Sequence, residues 1–214
     1  MGDQSHITWR RLTLVVLGTA LAVMPAACAY EGLTLPEQPF EGEDRPQPAG
    51  GLFGSGTLTA PGPDAKAVTY NPALAPTGAA ITAIVTPGAE ETGAYLTISG
   101  LVPNRSYGVH AHVNPCGPTG DAAGPHFQNR VDPAATPQAP STNPEYANPD
   151  NEFWLDLRTD ATGSAMARTT VPFVVTADRV PRSIVIHEEG QTATGPGQAG
   201  DAGARLACVT LSGQ

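Results

Sequence analysis

Four of the five histidines in this 214-residue chain are spaced in patterns that suit one metal ion. His110 and His112 lie two residues apart in a run that alternates with aliphatic residues, which predicts a strand. Side chains at positions i and i+2 of a strand point to the same face, about 7 Å apart, so both imidazoles can reach one ion. His126 lies in a Pro- and Gly-rich stretch, and His187 ends a run of β-branched residues.

The composition of this set favours copper. Four imidazoles without a thiolate suit a tetragonal copper(II) site better than a structural zinc site, which usually includes cysteine. The alternative is that each histidine has an ordinary position, on the solvated face of a sheet or in a loop.

The elements that position these residues are predicted to be strands. From Leu52 onward, short β-compatible segments are separated by Gly, Pro, Asn and Asp. This pattern predicts an all-β domain, an antiparallel sandwich or barrel. Residues 160–163 predict a hairpin turn between two of its strands. The stretch 114–152 lacks periodicity, and a connection of this length in a compact domain usually has a function.

Four motifs resemble those of the copper/zinc superoxide dismutase family. They are GVHAH at 108–112, GPHF at 124–127, VIHE at 185–188 and GDAGARLAC at 200–208, in the family's order. The resemblance covers about residues 80–214 and implies the family's Greek-key β-barrel with long active-site loops. It also implies the family's reaction, in which superoxide is converted to O₂ and H₂O₂ as copper alternates between Cu(II) and Cu(I).

The resemblance assigns a role to each matching residue. The copper ligands of the family are matched by His110, His112, His126 and His187. Arg205 matches the arginine that receives superoxide, and His126 also matches the histidine that carries a proton. Cys116 and Cys208 match the intrasubunit disulfide. Without the resemblance, Arg205 would be interpreted as part of a surface ion pair.

The chain departs from the family at the zinc site. In the family, the histidine matched by His126 bridges copper to zinc, and two further histidines and an aspartate complete the zinc site. Between His126 and His187 the chain has no histidine, so it resembles the copper-only branch and zinc is not expected. The loop after His187 also lacks the acidic residue that links the two metal sites. The outer nitrogen of His126 then needs another partner, and Glu145, Glu152 and Asp156 are candidates.

The N-terminal residues 1–27 predict an export signal. Two arginines precede an apolar stretch over 12–24 that is too short to span a bilayer comfortably. Small residues before Cys28 predict a lipoprotein signal, with Cys28 as the lipid anchor. The alternative is ordinary signal-peptidase cleavage at Ala27-Cys28-Ala29.

The protein is therefore expected outside the cytoplasm, where disulfides form. It would be a lipoprotein on the cell surface or on the periplasmic side of a membrane, or alternatively a secreted protein. Residues 28–51 are rich in Pro, Gly and acidic residues and predict a tether to a domain over 52–214. The net charge of −9 excludes nucleic acid as a partner, because phosphate binding requires a basic patch. The oligomeric state is left open.

Two other functions are compatible with these residues. One is a copper-binding or copper-delivery module with little turnover, against which the motif around Arg205 argues. The other is a structural sandwich at the cell surface, which gives four histidines no purpose. The acidic charge repels superoxide at long range, so a dismutase of this composition has to attract its substrate locally.

Overall fold

The computed structural model describes residues 47–213, which form an all-β domain. Its strands are β1 (Leu52–Thr57), β2 (Ala67–Thr69), β3 (Ala80–Pro87), β4 (Thr92–Ser99), β5 (Ser106–Tyr107), β6 (Val109–His112), β7 (Leu157–Arg158), β8 (Ala165–Val171), β9 (Ser183–His187), β10 (Arg205–Thr210) and β11 (Ser212–Gly213). One 3₁₀ helix, Gly120–Ala123, lies between β6 and β7. The predicted all-β class is confirmed.

Two antiparallel sheets build the domain. The larger has the strand order β11-β1-β3-β4-β8, and the smaller has the order β2-β10-β9-β6. Strands β5 and β7 form a separate pair. One continuous apolar core includes Leu96 of the larger sheet and Ile184 and Leu206 of the smaller one, so the sheets bury a shared interior.

The predicted turn over 160–163 is present, but it does not join a hairpin. Gly163 lies at φ 78°, and its N–H donates to the carbonyl oxygen of Asp160 at 3.1 Å. The strands on either side belong to different sheets, because β7 pairs with β5 while β8 pairs with β4. The predicted turn is therefore confirmed, whereas the prediction that its two flanking strands pair with each other was wrong.

Two loops enclose the smaller sheet. The long loop (residues 113–156) connects β6 to β7, and the short loop (residues 188–204) connects β9 to β10. The long loop pairs along the outer edge of β6: the N–H of Phe127 donates to Ala111 at 2.8 Å, and the N–H of Leu155 donates to Val109 at 2.8 Å. This pairing covers a strand edge that would otherwise expose its backbone groups.

The chain already contacts the domain before β1. The N–H of Ala49 donates to the carbonyl of Val175 at 2.8 Å, and Pro48 forms an isolated bridge with Thr176. The predicted signal segment, Cys28 and the tether as far as residue 46 lie outside the described residues. Within residues 47–213, no helix has the length and apolar character needed to cross a membrane.

Candidate metal centre

The four predicted copper ligands lie together. One ring nitrogen from each of His110, His112, His126 and His187 lies within 4.8 Å of those of the other three. Imidazole nitrogens bind metals at about 2.0 Å, so two opposite ligands of one ion lie about 4 Å apart. Among residues 47–213, this is the one group of three or more His, Cys, Asp or Glu residues close enough to hold a metal.

Three elements deliver these histidines. Strand β6 carries His110 and His112, and β9 ends at His187, whose N–H donates to the carbonyl of Gly108 at 2.8 Å. His126 comes from the long loop and forms an antiparallel bridge with His112. Backbone pairing therefore fixes all four positions relative to β6.

His110 and His112 are fully buried, at 0% exposure, and His187 is buried at 4%. This burial excludes the alternative of histidines on a solvated sheet face. Burial, together with repulsion from the neighbouring histidines, lowers the pKa of His110 and His112 well below its usual value. Burial first, and then His126, lowers the pKa of His187 to about 3. The buried imidazoles are therefore neutral at pH 7, as metal ligation requires.

Hydrogen bonds identify the nitrogen that each ring leaves free. His112 Nδ1 lies 2.9 Å from the carbonyl oxygen of Gly124, and His187 Nδ1 lies 3.2 Å from that of Gly203. A carbonyl oxygen only accepts, so both Nδ1 atoms carry the proton and both Nε2 atoms are unprotonated. The two Nε2 atoms lie 3.3 Å apart, which places two lone pairs where a cation would stabilise them.

His126 is held by a buried carboxylate. Its Nδ1 lies 2.9 Å from Glu152 Oε2, and Glu152 is only 1% exposed. The indole N–H of Trp154 donates to the same oxygen at 2.7 Å, and Gln128 donates to the other oxygen at 2.8 Å. The proton of His126 therefore lies on Nδ1, which leaves Nε2 for the metal.

Of the three candidates for the outer nitrogen of His126, the structure places only Glu152 there. Glu145 instead pairs with Arg130 at 3.2 Å on the surface. Asp156 lies beside His110, where its oxygens accept from the N–H groups of Val109 and Thr192.

His110 has the opposite orientation from the other three. Its Nε2 lies 2.6 Å from the hydroxyl of Thr192, whereas its Nδ1 is buried without a hydrogen-bond partner. A buried polar atom without a partner is rare and costs free energy unless something else binds it. A metal ion on Nδ1 satisfies this atom, so the residues present fit a metal.

Arg205 begins β10 directly opposite His187 in the strand register. Its Nη1 donates to the carbonyl of Gly120 at 2.8 Å. A Cβ atom at Gly120 would lie 2.7 Å from the Cβ of Arg205, so the close approach requires glycine. Burial lowers the pKa of Arg205, an effect opposed by Asp121 and Tyr70, and the guanidinium stays charged in any protein.

A cavity of about 410 Å³ leads to this centre. Arg205, His126 and His187 line it together with apolar residues of the long loop such as Val131 and Pro137. Arg205 thus lines a largely apolar cavity, where its charge is screened less than in water.

The Cys116–Cys208 disulfide is present, with an S–S distance of 2.06 Å. It joins the long loop to β10. Cys116 precedes Gly120 by four residues and Cys208 follows Arg205 by three, so the bond ties together the two segments that hold the guanidinium.

Comparison with known families agrees with this geometry. The sequence profile of the copper/zinc superoxide dismutase (SODC) family matches residues 79–211, which is more than half of the chain. The chain belongs to the copper/zinc superoxide dismutase family. The family match includes all four histidines, Arg205 and both cysteines. A search of curated proteins found no match.

Sequence reasoning missed three residues around the centre: Gln128, Trp154 and Thr192. A signal existed for Trp154, since it follows Glu152 by two residues and an extended segment points both to the same side. Gln128 follows His126 by two residues in the same way, whereas Thr192 carries no such signal. Its partner is far away in the chain, since Thr192 lies 82 positions after His110.

Proposed function

We propose that this member of the family is a copper-dependent superoxide dismutase that works without zinc. Family membership supports dismutase activity with copper. The observation that carries the finer proposal is the occupied outer nitrogen of His126. Glu152, fixed by Trp154 and Gln128, binds the atom that faces zinc in two-metal members.

The chain's donor set suits copper. The four imidazoles offer His110 Nδ1 and the Nε2 atoms of His112, His126 and His187. Imidazole binds copper in both of its common oxidation states. Copper bound there supplies a one-electron couple that takes an electron from one superoxide and gives it to the next.

Arg205 binds the substrate anion. One of its five N–H donors is used by Gly120, and the side chain lines the cavity beside His126 and His187. Charge-assisted hydrogen bonds to an anion are roughly twice as strong as neutral ones. The cation also supplies local attraction that the chain's net charge of −9 does not.

His126 moves the proton. It is the one partly exposed member of the four histidines, and it lines the cavity. Nε2 can hold a proton only while it does not bind the metal, and the ring is then an imidazolium because Nδ1 keeps its own proton toward Glu152. The buried carboxylate holds the ring in position to pass the proton to reduced substrate.

The absence of zinc is supported by the two nearby carboxylates, Glu152 and Asp156, whose oxygens already accept hydrogen bonds from the protein. A zinc site needs four ligands. Both oxygens of Glu152 accept hydrogen bonds from Trp154, Gln128 or His126. Both oxygens of Asp156 likewise accept bonds from the backbone or from Thr192.

Metal analysis and activity of the purified protein, loaded with copper, with zinc or with both, test the proposal. We expect one copper and no zinc per chain, and activity above that of the same amount of free copper. Stoichiometric zinc overturns the copper-only part. Tight copper binding without activity overturns the enzyme and favours the copper-delivery module.

Arg205→Ala tests the substrate site in the same assay. We expect copper content to stay at one per chain and activity to fall about 10- to 100-fold, since a hydrogen bond to a charged group contributes about 1.5–3 kcal/mol. Arg168→Ala is the matched control, because Arg168 is exposed on β8 of the other sheet. Equal activity of both variants would contradict the assigned role.

We also place the protein outside the cytoplasm, anchored through a lipid on Cys28. The disulfide supports an oxidising compartment. Mass spectrometry of the mature N-terminus tests the anchor. An acylated Cys28 supports it, and an unmodified N-terminus beyond Ala27 or Ala29 shows ordinary signal-peptidase cleavage instead.

A further inference from the structure

We infer that Thr192 and Asp156 form a relay that fixes the tautomer and orientation of the copper ligand His110. Both are positioning residues, because they act through His110 and not on the substrate. The inference deepens the proposed function and rests on His110 being a copper ligand.

The relay is a short chain of hydrogen bonds. The Thr192 hydroxyl lies 2.6 Å from His110 Nε2 and 2.7 Å from Asp156 Oδ1. The direct distance from His110 Nε2 to Asp156 Oδ1 is 3.9 Å, too long for a hydrogen bond. The hydroxyl of Thr192 therefore carries the interaction between the carboxylate and the imidazole.

The direction of each bond follows from the groups involved. An ionised carboxylate only accepts, so the single hydroxyl proton of Thr192 is donated to Asp156. The hydroxyl oxygen then accepts from His110 Nε2, which must carry the ring proton. His110 Nδ1 is left unprotonated, and this is the buried nitrogen that has no partner among the described residues.

Asp156 is held firmly in this arrangement. Its Oδ1 also accepts from the N–H of Val109 at 3.1 Å, and its Oδ2 accepts from the N–H of Thr192 at 2.7 Å. Val109 directly precedes His110 on β6. The hydrogen bonds therefore form a closed ring that runs from Val109 through Asp156 and Thr192 to His110. His110 and Thr192 are buried, at 0% and 3% exposure, which keeps water from competing for the bond between them. Asp156 lies at the solvent-exposed end of the relay, with 28% of its side chain exposed.

The relay also couples the short loop to the metal centre. The N–H of Ala193 donates to Asp201 at 2.8 Å, and the same loop supplies Gly203, whose carbonyl accepts from His187. One loop thereby orients two ligands, His187 through backbone and His110 through Thr192. Partners of this kind raise the basicity of a ligand, and their removal typically costs about 10- to 100-fold in metal affinity.

Thr192→Val tests the relay because valine has nearly the same shape but no hydroxyl. We expect a copper(II) dissociation constant raised about 10- to 100-fold, measured by competition with a chelator, and a changed copper(II) EPR spectrum. Thr192→Ser keeps the hydroxyl and should restore both. Thr194→Val is the matched control, because Thr194 is exposed two residues further along the same loop.

Nitrogen-15 NMR of the metal-free wild-type protein tests the tautomer directly and requires neither a variant nor turnover. We expect the ring proton on Nε2 of His110 and on Nδ1 of His112, His126 and His187. A proton on Nδ1 of His110, or unchanged affinity and EPR spectrum in Thr192→Val, would overturn the inference. Should Thr192→Val fail to fold, the NMR result decides alone.

These readouts separate the inference from the proposed function. A protein that binds copper without dismutase activity would still show the affinity loss and the spectral change. A protein that does not bind copper at all would disprove the proposed function, while the NMR tautomers would still report on the relay.

Discussion

The two sheets of the domain use their faces differently. In the five-stranded sheet, burial alternates along β3, β4 and β8, so one face meets the core and the other faces solvent. In the four-stranded sheet, every residue of β2, β6 and β9 is buried. The second face is covered by the loops: Val185 and Cys208 pack against Ala123 of the long loop, and His110 lies near Trp154.

This difference shows where a sandwich can place chemistry. On a solvated face, imidazoles have a pKa near 6.5, and water competes with them for binding to a metal ion. A face covered by loops removes water, keeps the imidazoles neutral and brings in the outer partners Glu152 and Thr192. The five-stranded sheet contributes to the shared core, whereas the four-stranded sheet contributes to that core and, with its loops, also carries the site.

The largest expected effect separates these two roles. His112→Ala removes a ligand from the covered face, so we expect the loss of stoichiometric copper and of activity. Leu96→Ala in β4 creates a cavity in the core and should cost about 2–5 kcal/mol of unfolding free energy. Copper content and activity per folded chain of Leu96→Ala should stay at the wild-type level. Copper analysis and thermal unfolding of both variants check this, and copper loss in Leu96→Ala would contradict the division.

The disulfide should matter to both regions at once. Cys116→Ala/Cys208→Ala opens a loop of 92 residues and should lower the unfolding free energy by about 4–5 kcal/mol in the chain-entropy model. Activity should fall further than folding alone explains, because the segment holding Gly120 is no longer tied to β10. Chemical denaturation and activity per copper measure the two effects separately. Unchanged activity per copper would show that the long loop holds Arg205 without the bond.

Gly120→Ala should disturb the covered face without touching a ligand. The new methyl group would lie 2.7 Å from the Cβ of Arg205, so the aliphatic part of the Arg205 side chain would have to move. We expect activity to drop about 10- to 100-fold, as for loss of a hydrogen bond to a charged group, with copper content unchanged. Gly213→Ala is the matched control, since nothing lies near a Cβ atom at that position. Wild-type activity in Gly120→Ala would contradict this account of Arg205.

The smallest expected effect is the pH dependence of stability that the buried histidines cause in the metal-free protein. Burial lowers the pKa of His110, His112 and His187 in the folded, metal-free protein, whereas the unfolded chain has the usual histidine pKa of about 6.5. The unfolded state therefore binds more protons below pH 6.5, and stability falls as the pH drops from about 6.5 toward about 3. Thermal unfolding of the metal-free protein from pH 7 to 5 measures this loss.

His187→Gln should reduce that pH dependence, because glutamine does not titrate. Copper binding should also steepen the loss of stability with acid in the wild type, since protons compete with the metal for the ring nitrogens. A pH profile that is the same in wild type and His187→Gln would contradict the assignment of His187 as a buried neutral imidazole.

Much of this site is readable from local patterns. The i, i+2 spacing of His110 and His112 predicts a shared strand face, and the four motifs bring His126, His187 and Arg205 into the same family pattern. The turn at 160–163 is likewise visible from its residues. The turn residues do not predict the partners of the flanking strands. β7 pairs with β5 and β8 pairs with β4 through contacts with residues distant in the chain.

The amino-acid sequence supplies the residue types: four histidines within residues 108–188, Arg205 in its motif, Cys116 and Cys208, and no histidine between His126 and His187 that could bind zinc. The tertiary structure determines which atoms of these residues act. It selected Glu152 over Glu145 and Asp156 as the partner of His126, and it turned His110 so that Nδ1 faces the centre. These choices depend on hydrogen bonds between residues up to 82 positions apart. The free energy of burying a polar group selects such partners in three dimensions, and spacing along the chain does not encode them.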